Sequence, residues 1–202
     1  PEYEELDGQT RVPLLLQANQ SLFIVFHKAA KGEKLEGVNF PEGELLAELN
    51  EGWSVQFQTE QRGPSEPQVF DVLMDWSTHH NPDIRYYSGM AAYSNSFLLE
   101  KRPETEVYLD LGRVMVMARV FVNGQYAGGA WTYPYRVNVT DYLKLGTNDV
   151  RIEVVNNWQN RVVGDAQLPE AERKTYATVN PWNANSPLQT SGLLGPVKVL
   201  AY

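Results

Sequence analysis

The 202-residue sequence contains no cysteine, so neither a disulfide framework nor thiolate chemistry can enter its function. No apolar run approaches the roughly 18 residues that a spanning helix needs, which removes insertion into a membrane as a helix from consideration. Basic residues are also short. Only 17 Lys and Arg stand against 25 Asp and Glu, for a formal net charge of −8. Nucleic acid and anionic bilayers are held by clustered cations, so both are excluded as partners. The opening stretch PEYEELDGQT is acidic and polar rather than signal-like. The sequence is therefore expected to start inside or after another unit, or without its signal.

What is present is the balance of a chain that folds. Hydrophobic residues make up 43% and charged residues 21%, enough to bury a core at this length. Aromatics reach 11%, with five Trp and eleven Tyr. That richness suits β-structure, and it also suits sugar recognition, because pyranose C–H faces stack on aromatic rings. Core packing is the expected use of most of them.

Arg11 to Leu16 and Leu22 to Phe26 read as two strands of a hairpin around the polar turn Ala18 to Ser21. The Gly- and charge-rich KGEKLEGVNFPEGE follows, which places a boundary near residue 35. Two strand candidates flank Asn50-Glu51-Gly52; in the second, Trp53, Val55 and Phe57 alternate with Ser54, Gln56 and Gln58. QRGPSEPQ and THHNPD read as loops, and IRYYSGMAAYSNSFLLE as a long strand with a bend or bulge at Gly89. Val107, Leu109 and Leu111 alternate in the next strand. Val120 and Val122 before Asn123-Gly124 predict a type I′ hairpin, and Gly128-Gly129 a bulge or close backbone approach. RVNV, a turn at Asp141 to Lys144, a strand over Asp149 to Val155 and the closing PVKVLAY complete the pattern. Asp141 is expected to accept backbone N–H bonds at its turn. Only LPEAERKTY looks helical, with Pro169 in its first turn. Many short strands and almost no helix mean an all-β sandwich or barrel.

Glycosidases need two carboxyls at a controlled separation, and Asp110, Asp141, Glu153 and Asp165 are the best-placed acidic residues. Each also has an easy structural use at a turn, strand edge or loop, so no catalytic residue is assigned. His79-His80 lacks the spacing of a metal pair, because neighbours on a strand point to opposite faces; His27 stands alone. There is no GxSxG elbow and no phosphate loop. Asn19-Gln20-Ser21 and Asn138-Val139-Thr140 match the short glycosylation pattern, which occurs by chance too often to carry weight.

One cluster fits a neutral sugar better. Trp131, Tyr133 and Tyr135 follow the predicted hairpin, while Asn156, Asn157, Trp158, Asn160 and Arg161 follow a predicted strand. Rings offer a platform for sugar C–H faces, and amide and guanidinium groups offer paired partners for hydroxyls. The candidate carbohydrate-binding residues are Trp131, Tyr133, Tyr135, Asn157, Trp158 and Arg161. Alternatively, the same side chains fix a long irregular loop onto the sandwich.

The order of motifs carries a resemblance. EGWSVQF, DWSTHHNPDIRYYSGMAAY, the long YLDLGRVMVMARVFVNGQYAGGAWTYPYRVNVTDYLKLGTNDVRIEVVNNWQNRVVGD and SGLLGPVKV together resemble the galactose-binding-like β-sandwich of large bacterial glycoside hydrolases. The series is most similar to the C-terminal region of the family 106 α-L-rhamnosidases and more distantly to the sugar-binding domain of family 2, over about residues 45 to 202. This resemblance implies a jelly-roll sandwich with an additional N-terminal β-hairpin. RVPLLLQANQSLFIVFHKA resembles the closing strands of a preceding domain, so 1–35 are expected to be those strands plus a linker, and 36–202 the sandwich.

In such enzymes the catalytic carboxylates lie on a separate (β/α)8 barrel, for which this chain has neither length nor βα alternation. The implied role is an accessory, non-catalytic domain of a hydrolase acting on plant or rhamnose-containing polysaccharide. An independent carbohydrate-binding module and a fragment that hydrolyses glycans by itself stay open as alternatives. The implied partners are the barrel and other domains of the same polypeptide, then oligosaccharide; the implied location is periplasmic, secreted or on the bacterial surface. Structural calcium is common in these sandwiches, but no acidic cluster here has calcium-loop spacing, so no metal and no cofactor are expected.

Overall fold

The computed structural model describes residues 2–18, 20–29 and 31–202. The N-terminal hairpin forms earlier than expected. Strands β1 (Tyr3–Leu6) and β2 (Gln9–Arg11) pair antiparallel across Asp7-Gly8, whose φ values of 53° and 72° suit a two-residue turn. A short β3 (Lys34–Leu35) pairs with the other edge of β1. The expected strands at Arg11–Leu16 and Leu22–Phe26 are not formed: past β2, the described residues up to Gly32 are irregular and, apart from the half-buried Val12 and Gln17, exposed. Leu14-Leu15-Leu16 and Leu22 to Phe26 are apolar on both faces, and such a strand needs a neighbouring strand and cover on both sides. The described residues supply neither. Asn19, in the expected turn and in the first glycosylation pattern, lies outside the described residues.

The sandwich begins with β4 (Glu44–Glu48) and β5 (Trp53–Phe57). There follow β6 (Gln68–Phe70), the short helix α1 (Pro82–Arg85), β7 (Met90–Leu99), β8 (Val107–Asp110) and β9 (Arg113–Met115). Next come β10 (Met117–Val122), β11 (Gln125–Ala130), β12 (Arg136–Asn138), β13 (Gly146–Val155) and helix α2 (Gln159–Asp165). Strands β14 (Gly192–Gly195) and β15 (Lys198–Ala201) finish the chain. One sheet runs β11-β10-β13-β7-β5-β6 and faces a second, β12-β8-β15-β4, while β14 and β9 form a small third pair. Every strand pair is antiparallel, as an all-β jelly-roll sandwich requires.

The period of two places the core. Trp53, Val55 and Phe57 point inward from β5, and Val150, Ile152 and Val154 from β13; they meet Val107, Leu109 and Val199 from the facing sheet. Although β4 and β5 are sequential, they belong to opposite sheets, so Asn50-Glu51-Gly52 is a crossing between layers rather than a hairpin turn. The Trp76 indole N–H donates to the Tyr93 hydroxyl at 2.6 Å, and the two rings stack with centroids 6.3 Å apart. Gly192 passes over this pair with φ +97°, and a Cβ there would lie 2.6 Å from the indole nitrogen of Trp76. The motif SGLLGPV is therefore a packing requirement.

The Asn123-Gly124 turn forms as expected, with φ 51° and 79°. The pairings Val120↔Gly128 and Phe121↔Tyr126 leave Ala127 as the bulged residue. The Asn123 amide also donates to the Tyr142 carbonyl at 2.8 Å and to Asn148 Oδ1 at 2.9 Å. Asn148, fully buried, donates to the Lys144 and Gly146 carbonyls and accepts from the Lys144 N–H. It takes the role expected of Asp141, which is exposed and makes no recorded hydrogen bond among the described residues. The helix lies elsewhere than expected: LPEAERKTY contributes a single 3-10 turn at Glu170–Glu172, and α2 forms over Gln159–Asp165.

Candidate functional site

Strand register brings the two halves of the aromatic cluster to one rim. Ala130 of β11 pairs with Ala118 of β10, and Ala118 pairs with Val154 of β13. Strands β11 and β13 therefore end at the same edge of the six-stranded sheet, one strand apart, about 10 Å by ordinary strand spacing. Trp131 leaves the first with 72% of its surface exposed, and Trp158 follows the second at 60%. Tyr133, Val116 and Met117 are also exposed here.

The remaining candidates divide differently. Tyr135 is half-buried against the core, and its carbonyl accepts the Leu111 N–H at 2.8 Å. Asn157 is exposed; its Oδ1 accepts from the Gln159 N–H at 3.2 Å and its amide donates to Gln189. Arg161 is buried, and its Nε faces Asp165 Oδ1 at 3.1 Å as an ion pair within α2. Burial lowers the Arg161 pKa against the opposing pull of Asp165, with nearby Arg62 adding to the decrease. Asn156 and Asn160 are loop anchors. Asn156 bridges Tyr87 and Gly89, and Asn160 exchanges side-chain bonds with the Gln189 backbone at 2.7 and 2.8 Å. Three exposed rings, Trp131, Tyr133 and Trp158, are the side chains this rim offers to a ligand.

Three of the four candidate carboxylates have structural partners, and Asp141 stands exposed without one among the described residues. Asp110 pairs with Arg136 at 2.6 Å, and the buried Glu153 pairs with Arg119 at 2.6 Å and with Arg151. Asp165 Oδ2 accepts from the Lys174 and Thr175 N–H groups at 2.8 Å and from the Thr175 hydroxyl at 2.9 Å. Burial works to raise the Asp165 pKa, but these donors and Arg161 outweigh it and leave the carboxyl below its ordinary value. A carboxyl held ionised in this way, with Oδ2 taken by three donors and Oδ1 facing Arg161, is unsuited to proton transfer.

A polar pocket of about 420 Å³ lies beside Asp165, lined also by Glu170, Arg173, Lys174, Tyr176 and Asn180. The sequence reading did not single it out, because its residues gather only once the 166–180 segment folds back on α2. The histidines sit in a loop, as THHNPD was read, and their rings stack 4.3 Å apart, with His79 also stacked on Phe70. Burial first, and then the neighbouring His80, lower the His79 pKa. Among the described residues no group of three or more metal-ligating side chains surrounds them.

No protein-family model matches the chain. A Formosa agariphila protein provisionally named beta-glucuronidase is 34% identical over 173 residues, 73% of this chain and 15% of that protein. Among solved structures, a Novosphingobium rhamnosidase matches 98% of this chain and 19% of its own, with TM-score 0.88 and 34% identity. The sandwich is that of a glycoside-hydrolase domain. A Ruminococcus gnavus β-glucuronidase shares the fold alone, at TM-score 0.58 and 19% identity over 83% of this chain and 30% of its own.

The glycoside-hydrolase sandwich thus spans less than a fifth of both the Formosa protein and the rhamnosidase. The rhamnosidase-like motif series and the structural match agree, and the match extends past residue 45 into the N-terminal sheet.

Proposed function

We propose that this glycoside-hydrolase sandwich is a non-catalytic accessory domain of a rhamnosidase-like enzyme, with the reacting carboxylates on a separate barrel of the same polypeptide. The observation that carries the reading is the 34% identity to the rhamnosidase over 98% of the chain. The arginine and backbone partners of Asp110, Glu153 and Asp165 support it, because they leave none of the three free as acid or base. The substrate class would be rhamnose-containing polysaccharide, and the location periplasmic, secreted or cell-surface; fractionating cells that express the full gene tests the location.

The discriminating assay offers aryl α-L-rhamnoside and aryl β-glucuronide to the full-length gene product and to residues 1–202 alone. Turnover of the rhamnoside by the full-length protein and none by the chain is the expected result. Turnover by the chain overturns the accessory role, and preference for the glucuronide overturns the substrate class.

A second reading is favoured by the shared rim of Trp131, Tyr133 and Trp158, whose exposed rings suit stacking on sugar faces. Calorimetry with rhamno-oligosaccharides tests it. The expected result is weak binding that is lost in Trp131→Ala/Trp158→Ala, and no heat at millimolar ligand removes the idea.

A further inference from the structure

The segment between β2 and β3 is the part of the molecule least explained by its own contacts. Leu14, Leu15, Leu16, Leu22, Ile24, Val25 and Phe26 are all exposed, and Phe23 shows 92% of its surface. Of these, Leu14, Leu22, Ile24, Val25 and Phe26 line much of a groove of about 610 Å³ that runs past Tyr3 and Phe40. A folded monomer rarely leaves so many large apolar side chains contiguous and open.

The chemistry of the missing cover can be read from the pattern. An edge strand on a solvated sheet alternates apolar with polar residues, whereas Leu22-Phe23-Ile24-Val25-Phe26 is apolar at every position. It is β-branched and aromatic, without Gly or Pro, so its preferred state is a strand buried on both faces. Its backbone groups have no strand partner among the described residues: from Leu14 to Phe26 the one backbone–backbone hydrogen bond is Gln20 N–H to the Gln17 carbonyl. A strand partner and two apolar covers are a demand that a lone side-chain pocket cannot meet.

We propose that Leu14–Leu16 and Leu22–Phe26 are strands donated to an open sheet edge elsewhere in the same polypeptide, where they pair by β-augmentation and become a buried part of that sheet. The inference rests on the accessory-domain reading. The occupant is set by chain length outside these residues: the matching rhamnosidase spans this segment too, and about four-fifths of its chain lies outside the match. The two runs need polar solvent on neither face, so the partner is a β-domain with an unfilled apolar layer. A helix surface would cover one face and leave the backbone groups unpaired.

Hydrogen exchange on the full-length gene product tests the assignment. Amides of Leu22 to Phe26 are expected to exchange at least about 100-fold more slowly in the full-length protein than in residues 1–202 alone, the behaviour of strand backbone inside a cooperative unit. Phe23→Asp/Val25→Asp should abolish that protection and open Lys28 and Lys31 to trypsin, while the sandwich amides around Tyr93 keep theirs. Fast exchange of 22–26 in the full-length protein overturns the proposal. Protection that appears only in the isolated chain and grows with its concentration also overturns it, and assigns the surface to a second copy. The glycosidase assay is independent, so an active full-length enzyme with an unprotected segment sinks this inference and leaves the functional reading intact.

Discussion

At the residue scale, stability concentrates where buried polar atoms must be matched. The Tyr93 hydroxyl accepts the Trp76 indole N–H at 2.6 Å and the Leu193 N–H at 3.3 Å, in a site where burial raises its pKa. Tyr93→Phe strands both donors and is expected to cost about 2 kcal/mol, read from urea midpoints. Gly192→Ala strikes the same hub from the backbone. It forces a side chain onto a φ of +97° and a Cβ to within 2.6 Å of Trp76, so a loss of about 3 kcal/mol and a shifted tryptophan emission are expected. A wild-type midpoint in this variant would remove the packing role given to Gly192. The alternation that buries Trp53, Val55 and Phe57 was legible in the sequence, because it is a local pattern. The Trp76–Gly192 contact was not, since it joins residues more than a hundred apart and no local rule links them.

At the element scale, what was legible depended on whether a segment's structure is set by neighbours in sequence or in space. The β10–β11 turn was readable, because Asn-Gly selects positive φ on its own. Helix α2 was not: QNRVVGD holds two β-branched residues and a glycine, poor helix formers. Burial and the Arg161–Asp165 pair keep it helical. The predicted helix at LPEAERKTY had the better local signal, yet Lys174 and Thr175 donate their backbone N–H groups to Asp165 instead of to helix carbonyls. Asp165→Ala is therefore expected to cost about 3 kcal/mol, by leaving Arg161 buried without a counter-charge. The pH dependence has a definite sign. Because the folded carboxyl titrates below its ordinary value, its contribution is complete above the unfolded pKa of about 3.9 and disappears as pH falls through the folded one. The protection factors of the Lys174 and Thr175 amides, each taken against intrinsic exchange at the same pH, should fall below about pH 4 in the wild type. In Asp165→Asn they should already be low at neutral pH. Unchanged protection of these amides at pH 3 would remove Asp165 as the anchor.

At the scale of the whole molecule, the N-terminal three-stranded sheet and the sandwich share few specific contacts. Among the described residues, no recorded hydrogen bond or ion pair joins residues 2–40 to residues 44–202; Glu2–Asn39, Tyr3–Glu33 and Arg11–Glu4 all close within the first unit. The sandwich holds its own core, with Trp53, Trp76, Tyr93 and Ile152 fully buried and no side chain of the N-terminal sheet among the core residues. Deleting residues 1–41 should therefore leave residues 42–202 folding cooperatively, with Tm within about 3 °C of the intact chain, since a change below 1 kcal/mol moves Tm by only that much at this size. Differential scanning calorimetry checks this, and the calorimetric and van't Hoff enthalpies of the shortened chain should coincide. The deletion should also raise solubility, because it removes the exposed Leu22–Phe26 run, a five-residue stretch of high β-propensity with no charge. A large drop in Tm would mean instead that the N-terminal sheet is integral to the sandwich, placing the demand for an outside partner on the whole chain.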